Sequence, residues 1–248
     1  MTDPQTLPPQ TPAQVAPVWH TAVLVLLLLG VSSLNALARP HVGVLHVSRI
    51  PTYLLTLAWE WFLLAFIYGG LRMRRTPLRR LLGVRRPGAA EWWTDVGIAG
   101  GFWFASALTL AACAVLLRLT HLDPGSIRNA MLRMAPASVT ELAVWIALSI
   151  TAGFCEELIF RGYLQQQCIA LTRNVWLGAA ISALIFGLAH AYQGVSGVLL
   201  ITLYGVLFSV LAQQRGSLRA GIFAHAWQDS FIGIVLFISV HILHRLPH

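Results

Sequence analysis

The segment Cys155-Glu156-Glu157-Leu158-Ile159-Phe160-Arg161-Gly162 sets three ionisable side chains in or at the edge of a long apolar run. A charged side chain at the centre of a bilayer costs about 2.5–3.5 kcal/mol on insertion scales. Two adjacent carboxylates are therefore expected only where they pair or work. On a helix Glu157 and Arg161 are i,i+4 neighbours and can neutralise each other. Glu156 is turned by about 100° from Glu157 and can face a different neighbour. A buried ion pair that fixes helix packing is the simpler reading of these residues alone.

The rest of the chain says what surrounds them. Of 248 residues, 57% are hydrophobic and only 10% charged, against roughly 25% charged in a soluble domain. Mean hydropathy is +0.70. The expected fold is all-α: one polytopic transmembrane helical bundle of about seven spans, with an extra interfacial helix. Residues 1–17, with five prolines, read as a disordered tail, and residues 18–248 as a single membrane domain. The tail lacks the basic start of a secretory signal, so the first span is not expected to be cleaved.

Spans are expected at Val18–Ala38, Pro51–Leu71, Asp95–Leu117, Glu141–Arg173, Val175–His190, Val195–Gln214 and Ala220–Leu243. Residues Ile127–Met134 suit a short interfacial helix. The net charge of +8 comes from 17 basic residues, all arginine. Seven of these lie between Arg72 and Arg86, which marks that loop, and with it the N-terminus, as cytoplasmic. Contacts with membrane lipids suit the same loop. No aromatic-interleaved basic patch points to nucleic acid. Cys113, Cys155 and Cys168 form no C-x-x-C pair and read as packing residues. Glu60, between Trp59 and Trp61, is a further mid-membrane carboxylate and a candidate supporting group.

Two later stretches bear on the function. The fifth span ends Phe186-Gly187-Leu188-Ala189-His190, and the seventh opens with His225-Ala226-Trp227-Gln228-Asp229. His225 and Asp229 share one helix face. Three apolar helices that each carry polar groups are hard to explain unless those groups converge. A glutamate beside a histidine can take a proton from water and return it to a leaving amine. A second histidine can donate to an oxyanion. Alternatively, Glu156, His190 and His225 can hold a divalent metal such as zinc, which lowers the pKa of bound water. Either scheme hydrolyses a peptide bond inside the membrane. A proton- or metal-coupled carrier, and a non-catalytic immunity or binding protein, are the alternatives.

Taken in order, EExxxR (Glu156, Glu157, Arg161), FxxxH (Phe186, His190) and HxxxD (His225, Asp229) resemble the motif set of the CAAX-protease and bacteriocin-processing family, the CPBP or Abi intramembrane proteases. The motifs lie within residues 150–230. The resemblance implies a helical membrane endopeptidase, in a bacterial plasma membrane, acting on a peptide or membrane-protein substrate. It implies that Glu156 and His190 activate water, that His225 and Asp229 stabilise the oxyanion, and that Glu157 and Arg161 support the site. Family members are often described as metalloproteases, and a metal-free glutamate mechanism has been argued for some relatives; the cofactor is thus a divalent metal or none. The family often has asparagine where this chain has Asp229. An ionised aspartate would repel an oxyanion, so orienting His225 or holding a cation suits it better.

Overall fold

The computed structural model describes residues 13–37, 48–83, 88–120 and 125–243. Among them the secondary structure is helical throughout. The helices are α1 (Val18–Leu37), α2 (Ile50–Met73), α3 (Leu78–Leu82), α4 (Ala89–Leu119), α5 (Gly125–Met134), α6 (Val139–Thr172), α7 (Val175–Leu188), α8 (Gly194–Arg215) and α9 (Arg219–Leu243). Six of these are long and apolar enough to cross a membrane. The bundle is therefore that of an integral membrane protein. The expected fifth span is α7, which has only 14 residues. At 1.5 Å per residue it rises about 21 Å, short of a hydrocarbon core of about 30 Å. Its polar end, His190, consequently stops within the bundle. The expected interfacial helix is present as α5.

Local sequence sets the helix ends. Ser138 caps α6 by accepting from the Glu141 N–H at 3.2 Å, while Glu141 reaches back to the Ala137 N–H at 2.8 Å. This is a near relative of the capping box. Asn174 caps α7 by accepting from the Leu177 N–H, and Pro51 occupies the first turn of α2. Gly216 ends α8 with φ +57°, and Gly83 follows α3 with φ +81°. Gly83 lies directly against the Gly216 carbonyl, where a side chain has neither the space nor the backbone freedom to fit.

The core gathers on the middle of α6. Residues Glu157–Leu164 form a π-helical segment in which every side chain is buried. Leu158, Ile159, Phe160 and Tyr163 pack there with Leu24 of α1, Leu63 and Ile67 of α2, Leu81 of α3 and Phe186 of α7. Apolar side chains such as Leu26, Leu55, Phe104 and Ile238 point outward, as lipid-facing positions do. The tail expected at residues 1–17 is partly docked. Val15 and Ala16 are fully buried, and both N–H groups point to the Gln167 side-chain carbonyl. Satisfying a buried glutamine with backbone donors accounts for this. Residues 1–12 lie outside the described residues, as do Arg39, Arg85, Arg86 and Arg245. Cys155 and Cys168 are buried, and all three cysteines are free.

A buried carboxylate clamps the arginine-loop end. Asp95 of α4 is fully buried and accepts from Arg215 Nη2 at 2.8 Å and Arg219 Nε at 2.6 Å. It thereby ties α4 to the α8–α9 turn. Asp95→Asn is expected to lower unfolding stability by about 2–3 kcal/mol, less than for a wholly buried pair because Arg215 is partly exposed. Unfolding in detergent checks this; an unchanged midpoint would show that the clamp is not stabilising.

Candidate active site

Glu156 and Glu157 diverge at the start of the π segment. Glu157 turns inward, with Arg161 Nη1 at 3.0 Å from its Oε1 and both side chains 1% exposed. The Arg161 guanidinium lies 4.4 Å from the centre of the Phe186 ring and 5.0 Å from that of Phe208. Two aromatic faces thus shield the ion pair and add cation–π attraction. Glu156 turns the other way, into a cavity.

The cavity holds about 410 Å³ and is lined mainly by apolar side chains. Its polar lining includes Glu60, Glu156, His190, His225 and Asp229. The sequence places these five on four separate elements, α2, α6, the turn after α7, and α9; the fold brings them to one wall system. Along α6 the lining steps back from Glu156 through Ala152, Ser149 and Leu148. Along α9 it runs forward from His225 to Ile232. The cavity therefore extends towards the end of the bundle that carries α5, away from the arginine-rich loop.

His225 is the hub of the polar cluster. Its Nδ1 lies 3.1 Å from Glu157 Oε1. Its Nε2 faces Glu156 Oε2 at 3.6 Å and Asp229 Oδ2 at 3.7 Å. A carboxylate paired with arginine can only accept, so Nδ1 carries a hydrogen. Glu157, rather than Asp229, is thus the group that orients the ring through a hydrogen bond. Asp229 meets the opposite nitrogen.

His190 is fixed by a different device. Its Nδ1 donates to the Phe186 carbonyl at 2.9 Å, since a carbonyl oxygen can only accept. This leaves Nε2 as the ring's second functional nitrogen. Ser32 of α1 holds the turn by donating to the Leu188 carbonyl at 2.9 Å and accepting from the Ala191 N–H at 3.1 Å.

The meeting of Glu156 with His225 is unexpected for straight helices entering from level turns. Glu156 precedes Arg173 by 17 residues, whereas His225 follows Arg219 by only six. The packing of α6 on α9 explains it. Gly153 lies against Ala226, Glu157 against Gly221, and Gly162 against Leu218. The α8–α9 turn is therefore level with Gly162, about ten residues short of the α6 C-terminus. No break in α9 is needed.

Gly153 permits this register. A Cβ there would sit 2.8 Å from the Ala226 amide nitrogen and 3.1 Å from its Cα. Backbone cannot swing aside as a side chain can. Gly153→Ala is expected to part α6 and α9 by several tenths of an ångström beside Glu156 and His225. A loss of tenfold or more in turnover, of the order that misplacing reacting groups brings, would be read in a cleavage assay. Unaltered turnover would mean that this contact does not set the site.

The same geometry bears on metal binding. Zinc requires three or four N, O or S ligands at about 2.0–2.3 Å. Among the described residues, no three His, Cys, Asp or Glu side chains are grouped to hold a metal ion. The set Glu156, His190 and His225, raised from sequence as metal ligands, is not assembled as one here. No step below passes through a metal.

Sequence reading did not anticipate Tyr192, Gln193, Tyr204 or Gln228, which also line the cavity. Of these only Gln228 carried a signal, as a polar residue between His225 and Asp229. The π segment had no sequence signal.

Comparison with known proteins adds one match. Residues 138–231 match the family model described as Type II CAAX prenyl endopeptidase Rce1-like. That range contains α6 to most of α9, and with them all three motifs; Glu60 lies outside it. No curated protein and no solved structure matched.

Proposed function

We propose, for a chain whose residues 138–231 place it in the CAAX-type (CPBP) family of intramembrane proteases, that Glu156 and His190 activate water for hydrolysis of a peptide bond within the cavity. The observation that carries this reading is the convergence of Glu156, His190, His225 and Asp229 on one largely apolar cavity below the helix ends. Carriers also bury ionisable groups, but they need a path through the bundle. Here the polar cluster closes one end of a pocket.

In the proposed scheme a water molecule sits between the Glu156 carboxylate and His190 Nε2. Glu156 takes its proton as the oxygen attacks the scissile carbonyl carbon. His225, protonated on both nitrogens, keeps Nδ1–H on Glu157 and offers Nε2–H to the oxyanion. Asp229 faces that nitrogen from 3.7 Å and favours its protonated form by charge. It does not touch the oxyanion, so its negative charge is no obstacle. Glu156 then delivers the proton to the departing amine as the carbon–nitrogen bond breaks. The products are a carboxylate and an amine, and water is the only co-reactant.

The apolar walls suit an extended peptide with apolar side chains beside the scissile bond. The matched family is described as a CAAX prenyl endopeptidase, and an apolar cavity is compatible with a lipidated or a plain membrane peptide. The test is cleavage of a quenched fluorescent transmembrane peptide in liposomes. Wild-type protein should release the dye and the Glu156→Gln variant should not. Equal release by both would overturn the scheme.

Orientation follows from charge. The loop with seven arginines is taken as cytoplasmic, which places the α5 end and the cavity mouth on the opposite side. A single cysteine at Arg75, in a variant lacking the native cysteines, should react with a membrane-impermeant maleimide in inverted vesicles and not in intact cells. The reverse pattern would invert the topology.

A further inference from the structure

Glu60 belongs to α2, outside the matched region, yet it is 6% exposed and lines the same cavity as Glu156. It lines that cavity together with Glu156, from a helix packed on α6, close enough for the two carboxyl groups to interact. Neither arginine nor lysine serves it. Oε2 of Glu60 and Oε2 of Glu156 are both buried and neither has a protein hydrogen-bond partner; His225 Nε2, at 3.6 Å from the Glu156 oxygen, stands just beyond that distance. Two buried carboxyl groups on one cavity wall, each with an oxygen that no side chain donates to, are stable when they share a hydrogen; two like charges so close together do not coexist. The surrounding ionisable groups are Asp229 and His225 of α9, His190, and Tyr192 after α7. His225 is already engaged by Glu157, and the His190 Nδ1 by Phe186.

We propose that Glu60 is a positioning residue for the hydrolytic reaction: it carries the hydrogen of the pair and donates it to Glu156. The inference rests on Glu156 acting as the base, as proposed above. An O–H donated from Glu60 fixes one Glu156 oxygen and the plane of its carboxylate. The other oxygen is then aimed at the water. The arrangement resembles the paired acids of carboxyl dyads, but here the second acid only orients the first. Glu60 touches neither water nor substrate in this scheme. Its helix, α2, packs against α6, so the two carboxyls are held by backbone rather than by mobile loops.

Two variants separate this role from packing. Glu60→Gln keeps the size and supplies a permanent N–H donor to Glu156; turnover should stay within about threefold of wild type. Glu60→Leu keeps much of the volume and suits a membrane helix better than a carboxyl, but has no donor. It should lose about 10- to 100-fold in kcat, the range expected for a hydrogen bond to a charged group, with KM unchanged. Glu156→Gln, run alongside, tests the underlying reading: if that variant still cleaves, the base assignment fails regardless of Glu60. If Glu156→Gln is dead while Glu60→Leu turns over like wild type, or Glu60→Gln is as impaired as Glu60→Leu, the positioning role is wrong. Infrared difference spectra give a readout without substrate. Wild type minus Glu60→Gln should show the carbonyl band of a neutral carboxyl; a featureless spectrum would also overturn the proposal.

Discussion

Replacing Glu156 by glutamine abolishes peptide cleavage in the expected result, with turnover down by at least 10²–10⁴, the span typically supplied by a general base. The change is nearly isosteric. It leaves the neighbouring Glu157–Arg161 pair and the Glu157–His225 contact in place, so the protein should fold as before. An amide cannot take a proton from water at neutral pH. KM should be little altered, because Glu156 contributes one short segment to a wall formed by many apolar residues. His190→Ala should fall by a similar order, since it removes Nε2 from the water and its Nδ1 anchor has no other function. Initial rates in liposomes over a range of substrate concentrations measure both. Cleavage that persists in either variant would exclude the assigned water activation. Activity that disappears on chelation and returns with zinc would instead require the side chains to regroup around an ion.

The second large effect concerns stability. Arg161 and Glu157 are each 1% exposed and pair at 3.0 Å. Arg161→Ala leaves the Glu157 carboxylate in the apolar core with only His225 beside it. Breaking a buried pair from one side typically costs about 3–5 kcal/mol, a large part of a marginal stability. Thermal unfolding in nanodiscs should show a drop of many degrees, or the variant should fail to accumulate. The double change Glu157→Leu with Arg161→Met removes both charges at similar volume, and such replacements are often neutral or stabilising. It should recover most of the lost stability. It should not recover cleavage, because His225 then has no acceptor for Nδ1–H and its ring is no longer oriented. Stability and activity thus separate. Recovery of both together would show that Glu157 serves packing alone.

How much of this was legible beforehand can be followed residue by residue. The i,i+4 relation of Glu157 and Arg161 predicted their pairing, and the structure has it, although through a π segment rather than a regular α-helix. The rotation between adjacent residues predicted that Glu156 would face elsewhere. Hydropathy located six of the long helices, with ends off by a few residues; α4, for example, begins at Ala89 rather than Asp95, because Trp92 and Trp93 join the helix. The apolar run of the fifth span was found but its length was overestimated. Hydropathy counts apolar residues and does not register that a helix ends in the interior on a polar residue. The docking of Val15 and Ala16 on Gln167 was not foreseeable, since composition describes a segment's average and not one good partner 150 residues away.

Hydropathy and charge along the chain dictate a membrane-embedded helical bundle, and which ionisable residues it has to shelter there. Those properties follow from the transfer cost of each side chain, which is local and additive along the chain. The partner of each group comes instead from the packing of helices distant in the chain. Glu157 Oε1 meets His225 Nδ1, Asp229 faces the other nitrogen, and Glu60 lines the cavity of Glu156 from a helix nearly a hundred residues away. Those pairings depend on the offset between α6 and α9 that Gly153 and Gly162 permit. Helix register is set by backbone approach between distant segments, and that is not a property of either segment alone.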